Sequence, residues 1–305
     1  MGLQASTVAV IGLGSMGLGM ARSLLRAGFA VRGFDVNATA LRALTEAGGI
    51  ACASPADAGV GANIAVIVVV NAAQTQTVLF EADNVVDSLV EGAVVISCAT
   101  MSPEDARDFA ARVGEKGALY LDGPISGGSV KAGDGELTFM ASGSAEAFAA
   151  ARPALDAMAG TVYALGEQPG IGSAFRIVNQ LLAGVHIAAA CEAIAFAKSL
   201  DLDISRVFEV ITRSAGNSWM FENRVPHILD GDYTPRSAVS IFTKDLGIVS
   251  DIGRKGKFPL PMGSAALQLF VMTEAAGMGR DDDSSVARLF AKIAGLELPR
   301  AEKDA

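Results

Sequence analysis

The sequence predicts an α/β domain built on a parallel sheet, followed by an all-α domain. Three observations predict it. Short Val/Ile-rich runs alternate with helix-length segments up to about residue 165. A glycine-rich turn, IGLGSMGLGMA, joins the first run to the first helical segment. Beyond that point the strand pattern gives way to helical periodicity with Ala, Leu, Ile and Met in the apolar positions. The expected division is therefore 1–165 and 166–305.

The apolar runs, in order, are TVAVI (7–11), FAVRGF (29–34), IAVIVVV (64–70), AVVIS (93–97), ALYLD (118–122), LTFMAS (137–142) and TVYAL (161–165). Runs that are apolar throughout, rather than alternating, fit strands covered on both faces. Ser102-Pro103-Glu104-Asp105 reads as a helix start, with Ser102 as N-cap and proline at the first helical position. In the second half, helices are predicted over 172–200, 204–214, 238–255, 261–277 and 283–294, with Pro226, Pro235, Pro259 and Pro261 marking connections.

IGLGSMGLGMA places Gly12, Gly14 and Gly17 in G-x-G-x-x-G spacing. The motif leaves a strand, opens a helix, and is followed about 20 residues on by an acid at a second strand end, Asp35. That context predicts a Rossmann-type nucleotide site. The loop Gly12-Leu13-Gly14-Ser15-Met16-Gly17 lets a pyrophosphate approach the backbone, and the helix N-terminus favours its charge. Asp35 is expected on the adenosine ribose hydroxyls and would repel a 2′-phosphate, so NAD is predicted over NADP. Arg32, three residues earlier, is expected on the opposite face of its strand.

The bulk composition narrows the rest. With 24 Lys+Arg against 33 Asp+Glu, the net charge is −9. This argues against a nucleic-acid surface, and any anion site must be local. Cys52, Cys98 and Cys191 are odd in number and scattered, so neither a disulfide framework nor a metal site is predicted. The chain enters TVAVIG without a charged n-region or cleavage site, which predicts no signal peptide and a cytoplasmic protein. The run Leu181–Ala197 is barely bilayer length and contains His186 and Glu192, so it is read as a helix buried in a core or between subunits, not a membrane span.

Two further stretches carry candidate chemistry. LDGPISGGSVKAGDG follows a strand, and its small residues Ser126, Gly127 and Gly128 expose backbone N–H groups suited to a carboxylate. GIGSAFRIVNQ (170–180) opens a helix whose Arg176, Asn179 and Gln180, spaced i, i+3, i+4, share one face.

GLGSMGLGMA, SCATMSP, DGPISGG, GIGSAFRIVNQ and FTKDLGI stand in the order and spacing of the β-hydroxyacid dehydrogenases, and the resemblance covers nearly the whole chain. The second half is most similar to the branch that acts on L-threonate, which implies a small hydroxy acid, a four-carbon sugar acid, as substrate. The resemblance implies further roles. Thr100, Asn71 and Ala72 lie along the cofactor. Ser126, Gly127 and Gly128 bind the substrate carboxylate, and Asn179 orients the substrate. Lys244 lies near both nicotinamide and substrate, while Asn217, Trp219 and Phe242 wall the pocket. The family resemblance also implies a homodimer or homotetramer.

One position departs from the family. Residue 176 is normally a lysine that exchanges the proton of the substrate hydroxyl; here it is Arg176. A lysine can be tuned to give and take a proton, whereas a guanidinium stays protonated. Arg176 retains the ability to bind a carboxylate or stabilise a developing alkoxide. Lys244 is then the candidate for the proton, ahead of His186, which stands about ten residues and some 15 Å along the helix. Two other readings follow from the same departure: an NAD-binding protein that has lost its chemistry, and an imine reductase, whose substrate nitrogen already carries its proton.

Overall fold

The computed structural model describes residues 6–301. It divides into two compact units, Met1–Arg176 and Ile177–Ala305.

The first unit runs β1 (Thr7–Ile11), α1 (Gly17–Arg26), β2 (Ala30–Phe34), α2 (Ala38–Glu46), β3 (Ile50–Ala51), α3 (Pro55–Gly59), β4 (Ile64–Ile67) and α4 (Ala72–Phe80). It continues with β5 (Val94–Ser97), α5 (Pro103–Glu115), β6 (Leu119–Asp122), β7 (Ile125–Ser126), α6 (Gly128–Asp134), β8 (Leu137–Ala141), α7 (Ala145–Met158) and β9 (Ala159–Ala164). Six strands form a sheet in the order β3-β2-β1-β4-β5-β6, and every pairing in it is parallel.

The pleat explains why the strand sequences are apolar throughout. Val8, Val10, Ile64, Val66, Val94 and Ile96 enter the core on one face. Their chain neighbours Ala9, Ile11, Ala65, Ile67 and Val95 enter the core on the other. Ser102 caps α5 as expected: its Oγ accepts from Asp105 N at 3.1 Å and donates to Asp105 Oδ2 at 2.7 Å.

Three strand readings are revised. The run 64–70 pairs only to Ile67. Val68 N donates to Ile11 O at 2.7 Å, and the chain then leaves the sheet past the Gly12 turn. β3 and β7 each have two residues, too few for a periodic signal. β7, β8 and β9 make a separate sheet in which β7 and β8 are antiparallel.

A long helix, α8 (Ile171–Ser199), carries the boundary between the two compact units, at Arg176/Ile177. The reason is a buried anchor. Asp122, at the end of β6, accepts from Gly170 N at 2.8 Å, Ser173 N at 2.9 Å and Ser173 Oγ at 2.7 Å, which ties the first turn of α8 to the first unit.

The second unit continues α8 and adds α9 (Ile204–Ile211), α10 (Trp219–Asp230), α11 (Val239–Lys255), α12 (Pro261–Thr273) and α13 (Val286–Ala294). Helix α10 was not legible because Pro226, read as a connection, lies inside it. The helix survives the lost donor with Ser218 as its N-cap, accepting from Phe221 N at 3.0 Å. The core gathers Ile187, Cys191, Ile194, Phe221, Phe242 and Phe270. By length and composition α8 passes the test for a membrane span, but 56% of its most apolar window is buried inside the protein.

A charged cluster lies within this apolar unit. Arg224 Nε donates to Asp283 Oδ1 at 2.6 Å, and His227 Nδ1 stands 2.9 Å from Asp282 Oδ1. Burial pushes the Asp283 carboxyl up to about 6 despite its arginine. Burial also acts on Asp282, but hydrogen bonds from His227 and Ser284 outweigh it and bring that carboxyl down to about 2. The signs oppose. Asp282, depressed from 3.8 to about 2, gives stability that is present above its ordinary value and lost as pH falls through about 2. Asp283, raised to about 6, gives stability present below its ordinary value and lost as pH rises through about 6. In denaturant titrations across this range, Asp282→Asn is expected to flatten the loss between about pH 4 and 2, and Asp283→Asn the loss between about pH 4 and 6. Unchanged slopes in either variant overturn that assignment.

Candidate functional site

The parallel order reverses direction between β1 and β4, and ligands of such sheets bind beyond the strands' C-terminal ends. In the first unit Gly12 follows β1, Asp35 follows β2, Asn71 follows β4, Thr100 follows β5 and Asp122 ends β6. The sheet thus brings the predicted cofactor residues to one edge.

The turn after β1 fits a dinucleotide. Gly12 holds φ +93°, and a Cβ there would stand 2.5 Å from Val68 O. A Cβ on Gly14 would meet nothing within 4 Å, which leaves the open approach a pyrophosphate needs. Helix α1 starts at Gly17 with Met16 as N-cap, whose side chain makes no cap hydrogen bond. Ser15 is exposed on the turn, whereas the Leu13 side chain is in the core and contributes through its backbone.

Asp35 is fixed as well. Its Oδ2 accepts from Leu13 N at 2.6 Å and its Oδ1 from Asn37 N at 2.7 Å, which locks the carboxylate beside the turn. Arg32 is engaged elsewhere: Nη2 donates to Asp57 Oδ1 at 2.7 Å and to Asp57 O at 2.7 Å, so it is not poised for a 2′-phosphate. Asn71 caps α4, accepting from Gln74 N at 2.9 Å, and Ala72 is the first residue of that helix. Because Gly14 faces open space, Gly14→Val is expected to weaken NAD binding at least tenfold in a fluorescence titration while the melting temperature holds within a few degrees. Undiminished affinity sinks this use of the turn.

Ser126 ends β7, and Gly127 (φ +139°) and Gly128 (φ +80°) turn the chain into α6. Gly128 is exposed, with open space where a Cβ would be. Thr100 is buried, and its Oγ1 accepts from Arg176 Nε at 3.2 Å. Arg176 is half-buried and is thereby drawn toward the β5 end of the cofactor edge.

In the second unit a chain of polar contacts links two of the predicted residues. Asn179 Nδ2 donates to Gln180 Oε1 at 3.0 Å, and Gln180 Nε2 donates to Asp245 Oδ2 at 2.6 Å. Lys244 Nζ is paired with Asp245 Oδ1 at 2.6 Å. Asn217 and Trp219 flank the cap of α10. Asn217 Nδ2 donates to Glu222 Oε1 at 2.5 Å, and Trp219 is 58% exposed. Phe242 is placed differently from the other expected wall residues. It is buried and stacked on Phe270 at 5.2 Å between ring centroids, the setting of a core aromatic. His186 is half-buried on α8.

The sequence assigns no role to Gln180 or Asp245. A signal for Asp245 was available: with Phe242, Leu246 and Val249 it occupies the apolar face of α11, where a carboxylate is out of place unless paired. Among the described residues there is no group of three or more His, Cys, Asp or Glu able to hold a metal ion.

Comparison with known proteins decides the family. Residues 7–166 match the model described as the NAD binding domain of 6-phosphogluconate dehydrogenase. Residues 170–290 match that described as NAD-binding of NADP-dependent 3-hydroxyisobutyrate dehydrogenase. The chain belongs to the β-hydroxyacid dehydrogenase family. It is an NAD-dependent oxidoreductase of that family, in which a two-unit fold joins a dinucleotide-binding sheet to a helical unit. L-threonate dehydrogenase from Cupriavidus necator is 52% identical over 292 residues, 96% of this chain and 97% of the relative. L-threonate dehydrogenase from Escherichia coli K12 is 46% identical, with 97% of each chain covered. A crystal structure of 3-hydroxyisobutyrate dehydrogenase from Salmonella typhimurium superposes with a TM-score of 0.88 at 49% identity, covering 93% of this chain and 99% of that one.

Proposed function

We propose that this β-hydroxyacid dehydrogenase oxidises L-threonate, or a four-carbon sugar acid of the same stereochemistry, to the corresponding oxo acid. The observation that carries the reading is the 52% identity to an L-threonate dehydrogenase across 96% of the chain. In this reading the backbone amides at Ser126, Gly127 and Gly128 take the substrate carboxylate, and Asn179 orients the substrate. Arg176, held by Thr100, donates to the substrate hydroxyl oxygen and stabilises its developing negative charge. Lys244, paired with Asp245, takes the hydroxyl proton on Nζ as the carbonyl forms, starting from its neutral amine and ending as the ammonium ion. NAD, when bound, supplies the hydride acceptor. Asn217, Trp219 and Phe242 wall the substrate pocket.

The direct test is NADH formation with purified protein on L-threonate, D-threonate, 3-hydroxyisobutyrate, glycerate and a panel of cyclic imines. L-Threonate is expected to give the highest kcat/KM. NAD binding with no turnover on any hydroxy acid overturns the proposal and leaves a silenced binding protein. Turnover only with imines moves the chain to imine reduction.

The active form is proposed to be a cytoplasmic homodimer or homotetramer. Supporting this, Leu182 and Phe196 on α8 and Ile293 on α13 are more than half exposed. A groove of about 550 Å³ is lined by Glu192, Ala193, Phe196, Phe290 and Ile293. A light-scattering mass of one chain at micromolar concentration counts against it.

A further inference from the structure

We infer that Asp122 is a positioning residue for Arg176, acting through the first turn of α8. The inference rests on the catalytic reading of Arg176 given above, and every contact that carries it lies within the first unit.

Asp122 stands at the C-terminal end of β6 and is 1% exposed. Its carboxylate accepts four hydrogen bonds. Oδ2 accepts from Gly170 N at 2.8 Å, Ser173 N at 2.9 Å and Ser142 Oγ at 3.3 Å, and Oδ1 accepts from Ser173 Oγ at 2.7 Å. Ser142 in turn accepts from Gly172 N at 2.9 Å. The backbones of the two anchors are also joined, Asp122 N to Ser142 O at 3.0 Å and Ser142 N to Asp122 O at 2.8 Å. The opening N–H groups of a helix need partners from outside it, and here a carboxylate and a hydroxyl from the strand ends supply them.

The approach is close enough to exclude a side chain. A Cβ on Gly172 would stand 2.8 Å from Asp122 O and would also run into the Met140 carbonyl oxygen. The helix entry is therefore fixed in height by backbone contact and in rotation by the carboxylate. Ser173, which gives Asp122 two of its hydrogen bonds, lies three residues before Arg176 on the same side of the helix. Whatever sets Ser173 sets the direction in which the Arg176 side chain leaves the helix toward Thr100.

Burial pushes the Asp122 carboxyl above its ordinary range, against the pull of its hydrogen bonds. Such a desolvation cost is out of proportion to closing a helix end, which a neutral Ser or Asn does elsewhere in this chain at Ser54, Asn71 and Ser144.

The test is a kinetic cycle on the full-length enzyme, with rates expressed per NAD-binding site so that unfolded protein is not counted. In Asp122→Asn one oxygen becomes a donor facing donors. The expected loss in kcat is between about tenfold and a hundredfold, the scale of a misplaced catalytic group. In an Arg176→Ala background the same change is expected to alter kcat less than about twofold, because the side chain it positions is gone. If Asp122→Asn gives no folded protein, Ser173→Ala, which removes one hydroxyl donor and keeps the backbone bond, is expected to show a smaller loss with the same dependence on Arg176.

Wild-type kcat in folded Asp122→Asn, or in Ser173→Ala where it is the variant used, overturns the inference, as does an equal fold-loss in both backgrounds. Wild-type kcat in Arg176→Ala overturns the catalytic reading of Arg176 and the inference with it. A costly Arg176→Ala combined with an additive Asp122→Asn overturns the inference alone.

Discussion

Arg176→Ala is expected to lower kcat on L-threonate by about 10²- to 10³-fold, the loss seen when one donor aimed at a developing oxyanion is removed. Arg176→Lys is expected to retain wild-type kcat or exceed it. The guanidinium is held by Thr100 Oγ1 through Nε at 3.2 Å, so its outer nitrogens are carried beyond that hydroxyl on a fixed stem. A permanent cation there stabilises an alkoxide but cannot carry the proton away. Alanine removes the cation altogether. Lysine keeps a cation of similar reach and adds a titratable nitrogen, so the pH–rate profile of the lysine variant is expected to gain a limb that the wild type lacks. The measurements are kcat and KM against pH for the three proteins. An alanine variant with wild-type kcat shows Arg176 to be a spectator. A lysine variant with at least a hundredfold gain shows the natural enzyme to be impaired at this position.

The cofactor half of the candidate site rests on local signals. G-x-G-x-x-G, a strand before it, a helix after it and Asp35 beyond all lie within one βαβ unit, and the structure joins them through the Leu13 N to Asp35 Oδ2 bond. The sheet was legible for the same reason: runs buried on both faces announce themselves in composition. What could not be read were pairings made by residues distant in sequence. Asp122 and Ser173 are 51 positions apart, and Gln180 and Asp245 are 65 apart. Nothing in either local stretch names its partner. Helix α10 was lost because a proline inside a helix and a proline between helices look alike in one sequence. Phe242 shows how a long-range contact escapes the sequence: its stack on Phe270 joins residues 28 positions apart, on α11 and α12.

Lys244→Met is expected to be the most damaging single change in the second unit, lowering kcat by about 10²- to 10⁴-fold, the contribution of a positioned acid–base group. The side chain is only partly exposed, and Asp245, itself buried, holds its Nζ at 2.6 Å. Gln180 fixes the other carboxylate oxygen at 2.6 Å, and Asn179 fixes Gln180. A lysine serving only solubility has no need of a buried carboxylate whose second oxygen is also occupied. Methionine preserves the length and apolar contact of the stem, so loss of activity without loss of melting temperature isolates the amine. The decisive version combines both positions. If proton transfer has moved from position 176 to Lys244, placing a lysine at 176 makes Lys244 dispensable. The double variant Arg176→Lys with Lys244→Met is then expected to recover most of the activity that Lys244→Met alone removes. Restoration of this kind cannot come from a purely structural role for Lys244, since a lysine on α8 does not repair a defect in α11. Equal losses from Lys244→Met in the arginine and lysine backgrounds would show instead that Lys244 holds substrate or cofactor and that water carries the proton.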